Sequence, residues 1–184
     1  GFNTDGYGMA AGIAQELGLP LAGADVILLG AGGAARSAAV ECLRQECRSL
    51  WIGNRSRSSL DTLLHQIRPL AGSAIIHEFL LETLPPQLPA GALLINSTSC
   101  GLRDDEPPPV DLATLPRLAA VFDMIYNPPR TPLLVAADRL GIRNANGLAM
   151  LVHQGARALS LWTGALVPDK VMHLAALAAL NLHQ

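Results

Sequence analysis

Lysine is nearly missing from this 184-residue chain: of its 13 Lys and Arg residues, only Lys170 is a lysine. Chemistry that needs an amine as proton carrier therefore has one candidate within the sequence. Charged residues make up 15% of the chain and the formal net charge is -2. That balance excludes a basic nucleic-acid platform and a polyanionic tail. The 3 cysteines (Cys42, Cys47, Cys100) form no disulfide framework, which fits a reducing, cytoplasmic setting. The 5 histidines are scattered without ligand spacing, so no metal site is expected. No apolar run approaches the roughly 18 residues of a membrane span, and no signal peptide is visible. The chain begins at Gly1 rather than Met, as a fragment or a processed form does. What is present is apolar: 50% of residues are hydrophobic. Disorder, a coiled coil and a collagen-like rod are excluded, and the length suits one domain.

Short apolar runs alternate with longer amphipathic ones. Asp25 to Leu29 is a compact strand ending in a glycine cluster, and Ala35 to Cys47 reads as a helix with Ala38, Ala39, Cys42 and Leu43 on one face. Further strands are expected at Leu50–Ile52, Ser73–His77, Leu93–Asn96, Val121–Met124 and, weakly, Ile142–Asn144. Further helices are expected at Asp5–Leu17 (stopped by Gly18), Ser58–Ile67, a short one near Leu80–Leu84, Thr131–Leu140, Met150–Leu161 and Pro168–Leu180. Strands without polar alternation, separated by helices, predict an α/β fold. The expected form is Rossmann-like and doubly wound, with a mainly parallel six-stranded sheet and helices on both faces. Gly101 to Val110, with Asp104-Asp105-Glu106 and then prolines, reads as a solvated surface loop.

Gly30-Ala31-Gly32-Gly33-Ala34-Ala35 fits G-x-G-x-x-A directly after a strand and at the opening of a helix. The first glycine permits a tight turn, the second lets backbone approach a pyrophosphate, and Ala35 lets the helix pack close to the strand. The helix N-terminus then offers free N–H groups to phosphate. The alternative is a glycine turn used only for packing. Enzymes that use the unphosphorylated dinucleotide carry Asp or Glu about 20 residues on. Here the segment is Gly53-Asn54-Arg55-Ser56-Arg57-Ser58-Ser59, which has no carboxylate. Arg55 and Arg57, with Asn54 and Ser56, suit a dianionic 2′-phosphate, so NADP is expected rather than NAD. The bland alternative is that both arginines are solvated. Arg36 is equally open to a phosphate or a surface role.

The chain resembles the nucleotide-binding domain of the shikimate dehydrogenase family. Asn3-Thr4-Asp5-Gly6 with Gly8 is similar to the family's N-T-D-G-x-G, and Gly30 to Arg36 to its glycine loop. Asn54-Arg55-Ser56 is similar to its N-R-T/S stretch, and Asn96-Ser97-Thr98-Ser99 with Gly101 to N-A-T-S-x-G. Asp123 to Tyr126, Pro128 and Thr131 to Leu134 resemble D-x-x-Y-x-P…T-P-L-L. Gly147-Leu148 with Met150 to Gly155 resembles G-x-x-M-L-x-x-Q, and Trp162-Thr163-Gly164 closes the set.

The resemblance implies that residues 1–184 are a single NADP-binding domain with the family's C-terminal helices, without the N-terminal substrate domain. It implies reversible reduction of 3-dehydroshikimate to shikimate, in aromatic amino-acid biosynthesis. It places Asp5 beside a catalytic lysine at the reacting oxygen, although Asp5 also reads as a plain N-cap. Tyr126 and Gln154 fall at the substrate mouth. Gly30, Gly32, Gly33, Ala34, Asn54, Arg55, Ser56, Arg57, Thr98, Met124 and Gly147 fall on the cofactor. Lys170 matches no catalytic position, so the chain alone is expected to bind NADP and to be inactive. Many NADP-specific members carry an arginine where this chain has Ser59. The apolar Leu174–Leu180 run, a packing helix near the domain junction in the family, is expected to favour self-association, such as a homodimer. Quinate or aminoshikimate as substrate, and a non-catalytic dinucleotide-binding module, stay open.

Overall fold

A computed structural model describes residues 1–103 and 105–180. Asp104, part of the acidic run noted above, lies outside the described residues. The helices are α1 (Asp5–Leu17), α2 (Gly33–Arg44), α3 (Arg57–Ile67), α4 (Pro132–Arg139), α5 (Leu148–Thr163) and α6 (Asp169–Ala179). The strands are β1 (Asp25–Leu29), β2 (Ser49–Asn54), β3 (Ile75–Leu80), β4 (Leu93–Asn96), β5 (Ala120–Asp123) and β6 (Asn144–Ala145). They form a 6-stranded sheet in the order β3-β2-β1-β4-β5-β6. Every pairing is parallel.

The strands are apolar throughout because both faces are covered, and the pleat sorts them. Val26, Leu28, Leu50, Ile52, Ile95 and Phe122 join a core with residues of α1, α2, α3 and α5. Ile27, Leu29, Leu94 and Val121 point the other way and pack with α4 and with Leu88, Val110, Leu112 and Leu118 of the long connections. The second face is thus covered largely by loop residues rather than by several helices.

Three glycines of α1 let it lie unusually close to its neighbours. A Cβ on Gly6 would come within 2.8 Å of the Ser37 carbonyl of α2, and one on Gly8 within 2.6 Å of the Met150 carbonyl of α5. Gly12 repeats the approach to α5, at 3.0 Å from the Met150 nitrogen. The glycines of the Asn3–Gly8 segment therefore seat the first helix against both the glycine-loop helix and the last sheet-covering helix.

Three expected elements differ. The second helix ends at Arg44, not Cys47. Glu46 takes φ 55, with its N–H on the Leu43 carbonyl (3.0 Å) and the Cys47 N–H on the Cys42 carbonyl (3.0 Å). This is a Schellman stop built without glycine. Cys47 is buried but non-helical. The short helix expected near Leu80–Leu84 is absent: β3 continues to Leu80, paired with Asn54. The Gly101–Val110 stretch is not simply a solvated loop, since Gly101 and Val110 are buried and Glu106 is partly so. The helix α6 keeps no buried residue, and Val171 and Leu174 are exposed.

Candidate functional site

The strand order reverses between β1 and β4, and open α/β sheets bind ligands outside the carboxyl ends of their strands at such a switch. A cleft of about 770 Å³ opens there. One wall is Gly30, Ala31 and Gly32 with Asn54 and Arg55; the other is Ser97 to Cys100, and Pro107 to Pro109 border it. Gly30 has to be glycine twice over: its φ is +115°, and a Cβ there would sit 2.7 Å from Ser97 Oγ.

The glycine wall suits an anion. Gly32 is the N-cap of α2 and provides no side-chain hydrogen bond to its first turn, where Gly33 and Ala34 are exposed. Uncapped N–H groups at the positive end of a helix dipole attract phosphate. Arg55 is exposed on the rim and, among the described residues, makes no ion pair. Asn54 Nδ2 donates to the Ser56 carbonyl (2.9 Å), and Ser56 Oγ caps α3 by accepting from the Ser59 N–H (3.3 Å). Ser59 is thereby used inside the cap. Arg57 pairs with Asp61 at 3.3 Å and does not line the cleft.

The opposite wall is organised by a buried carboxylate. Asp123, fully buried, accepts from Asn96 Nδ2 (3.0 Å), the Ile125 N–H (3.1 Å) and Thr131 Oγ1 (2.6 Å). Burial raises its pKa above the ordinary 3.8, against the opposing effect of those bonds. Asn96 Oδ1 in turn accepts from the N–H (3.0 Å) and hydroxyl (2.7 Å) of Thr98. Thr131 Oγ1 also caps α4, accepting from the Leu134 N–H at 3.3 Å. One acid thus ties the ends of β4 and β5 to the start of α4.

Of the residues singled out from the sequence, Gly30, Gly32, Asn54, Arg55 and Thr98 share the cleft. Met124 and Gly147 are in contact, since a Cβ on Gly147 would strike the Met124 carbonyl, and the Gly147 N–H donates to the Ile125 carbonyl at 3.1 Å. Tyr126 follows, 36% exposed. Asp5 is not the N-cap of α1; Thr4 holds that place, and Asn3 Oδ1 accepts from the Asp5 N–H at 2.9 Å. Asn3 Nδ2 donates to Ser37 Oγ of α2 at 2.9 Å, which ties this segment to the glycine-loop helix. Gln154 lies opposite Gly8, one turn along α1 from Asp5. Asp5, Tyr126 and Gln154 lie outside the cleft lining.

Sequence reasoning had Ser97 only as part of the motif after β4, and it missed Cys100, Glu82, Glu106 and the Pro107–Pro109 wall, all of which line the cleft. Glu82 is a carboxylate on the Arg55 side, supplied by the end of β3 rather than β2. The position of Ser97 just after the β4 run was the available signal. Nothing local marks the prolines.

The family model described as "Shikimate 5'-dehydrogenase C-terminal domain" matches residues 147–177. A shikimate dehydrogenase (NADP(+)) from Geobacter metallireducens is 37% identical over 98% of this chain and 64% of its own length. A 5-ketofructose reductase of a Gluconobacter species, solved ligand-free, superposes with TM-score 0.85 at 35% identity, covering 97% of this chain and 64% of that one. The shikimate 5-dehydrogenase of Thermus thermophilus, solved with NADP(H) and shikimate, gives TM-score 0.80 at 33% identity over 98% and 64%. The chain therefore spans under two thirds of the length of the relatives it matches.

Proposed function

The chain belongs to the shikimate dehydrogenase family, and on that premise we propose that it is the NADP-binding part of an oxidoreductase that interconverts 3-dehydroshikimate and shikimate. The observation that carries the cofactor reading is the cleft between β1 and β4. An uncapped helix N-terminus and Arg55 share one rim there, and no carboxylate stands at the end of β2. The donor set fits the group: N–H groups of Gly33 and Ala34 for the pyrophosphate, and Arg55 with Asn54 and Ser56 for a 2′-phosphate.

Bound NADP supplies or accepts the hydride. The chain's own residues orient and hold. Met124, backed by Gly147, directly follows β5 at the carboxyl edge of the sheet. Gln154 is held opposite Gly8 and offers an amide to substrate hydroxyls. Asp5, with its backbone N–H fixed by Asn3, presents a carboxylate that anchors a proton-carrying ammonium. Lys170 is not that ammonium. It lies on α6 near Gln15 and His173, at the opposite end of α1 from Asp5. The 184-residue chain by itself therefore binds nucleotide and turns over nothing.

A different polyol or keto-sugar is the second reading for the substrate, favoured by the likeness to the 5-ketofructose reductase. Thermal denaturation with NADP, NAD or neither tests the cofactor reading: NADP raises the melting temperature more than NAD does. No shift with either would remove it. NADPH formation from shikimate by this chain alone would overturn the expected inactivity.

A further inference from the structure

His153 sits where three helices meet. It belongs to α5, its side chain is 15% exposed, and it reaches Gln15 of α1 and Asp169 of α6. Its Nε2 lies 2.7 Å from Gln15 Oε1. Gln15 Nε2 donates to Glu16 Oε1 at 2.8 Å. An ionised carboxylate only accepts, so this bond turns the amide oxygen of Gln15 toward the histidine. His153 Nε2 therefore carries a proton. Its Nδ1 lies 3.5 Å from Asp169 Oδ2. A neutral ring with its proton on Nε2 would aim a lone pair at that carboxylate. An imidazolium aims an N–H and a positive charge instead. The doubly protonated ring satisfies both neighbours at once.

We propose that His153 is a proton-operated clasp that holds α6 against α1 and α5. The helix it holds is otherwise lightly anchored. No residue of α6 is buried, and Val171 and Leu174 are exposed. Met172 rests on α5 over Gly155, where an added Cβ would lie 3.8 Å from the Met172 methyl. Histidine is the side chain whose charge changes between about pH 5 and 8. With the second proton, His153 bridges Gln15 and Asp169. Without it, the ring keeps one N–H for two acceptors, and the ion pair to α6 is gone. The other charged or titratable groups around it are Glu16 on α1, Lys170 and His173 on α6, and Arg157 one turn on along α5, held over the Tyr7 ring at 5.6 Å. The clasp uses none of the cleft residues, so it stands whether or not the cleft takes NADP.

Lys170 gives the test a single reporter. It is the one lysine of the chain and stands on α6, so a lysine-specific endopeptidase cuts the whole chain there and reads how often α6 comes away. Cleavage is followed at about pH 5.5 and at about pH 8. Wild type and variants are compared at the same pH, so the protease's own pH dependence cancels. The wild-type chain should be cut about two- to fivefold more slowly than His153→Gln at the lower pH, and at an equal rate at the higher pH. Asp169→Asn, in the exposed first turn of α6, should lose the same low-pH protection. It keeps the test decisive should His153→Gln fail to fold. The change of the ratio with pH is the reading, since a purely structural role would give one ratio throughout. A ratio that stays constant between the two pH values would overturn the clasp. So would low-pH protection that survives Asp169→Asn.

Discussion

Asn96 and Asp123, both fully buried, meet at 3.0 Å, the amide Nδ2 of Asn96 donating to Oδ1 of Asp123. Among the described residues no cation pairs with the acid; neutral donors hold it instead. Replacing Asp123 by Ala orphans the Asn96 amide, the Ile125 N–H and the Thr131 hydroxyl at once. Each lost partner costs about 1–3 kcal/mol, so Asp123→Ala should lose on the order of 3 kcal/mol in urea unfolding. A loss near zero would mean that the network is not holding these strand ends.

The same carboxyl has a pH signature. Burial holds its pKa above 3.8, so the folded chain keeps the proton more tightly than the unfolded one. Its contribution to stability is fully present below 3.8 and is lost as pH rises through the raised value. Asp123→Asn should remove that decline from the stability–pH curve. A difference curve that rises with pH across this window would contradict the assignment.

Asp25 behaves in the opposite sense. Arg48 grips it through two guanidinium nitrogens, Nη2 and Nε, the latter at 2.9 Å, and Ser49 Oγ donates at 2.7 Å. The Arg48 hydrogen bond, ahead of the opposing effect of burial, holds its pKa below 3.8. Its stabilisation is present above 3.8 and disappears as pH falls through the depressed value. Asp25→Asn should flatten that acid limb, in acid titrations of unfolding.

Gly8→Ala should destabilise the chain despite alanine's better helix propensity. The added methyl would lie 2.6 Å from the Met150 carbonyl and 2.8 Å from Gln154 Cβ, so α1 and α5 must part. Overpacking of this kind costs about 1–3 kcal/mol, against a propensity gain of about 0.5–1 kcal/mol. The melting temperature should fall. A more stable Gly8→Ala chain would mean that the helices yield freely.

Glu82 opposes a 2′-phosphate by like charge and suits free ribose hydroxyls. Glu82→Gln should tighten NADP binding a few-fold at low salt and weaken NAD binding, which widens the selectivity. Weaker binding of NADP by this variant would place Glu82 elsewhere than on the ribose.

Much of this was legible in the sequence because it depends on local chemistry. Gly30 to Ala35 reads correctly, since a strand, a glycine turn and a helix start are each set by neighbouring residues. Leu93–Asn96 reads correctly because a buried parallel strand is a bare apolar run. Leu80 to Leu84 failed because a short apolar run has no period of its own; pairing of Leu80 with Asn54, a long-range event, decided it. The end of α2 failed because Glu46 takes a left-handed turn usually marked by glycine. The Pro107–Pro109 wall was illegible because composition marks a loop without saying what it faces. The Asn96–Asp123 bond joins two motif residues, but only the parallel register of β4 and β5 brings them side by side.

The most direct test is calorimetric titration of the chain and its Arg55→Ala variant with NADP and NAD. The wild-type chain should bind NADP at least about tenfold more tightly than NAD, roughly 1.4 kcal/mol. Arg55→Ala should erase that difference by weakening NADP alone. Equal weakening of both nucleotides, or no binding by a folded wild-type chain, would contradict the reading of this cleft as an NADP site.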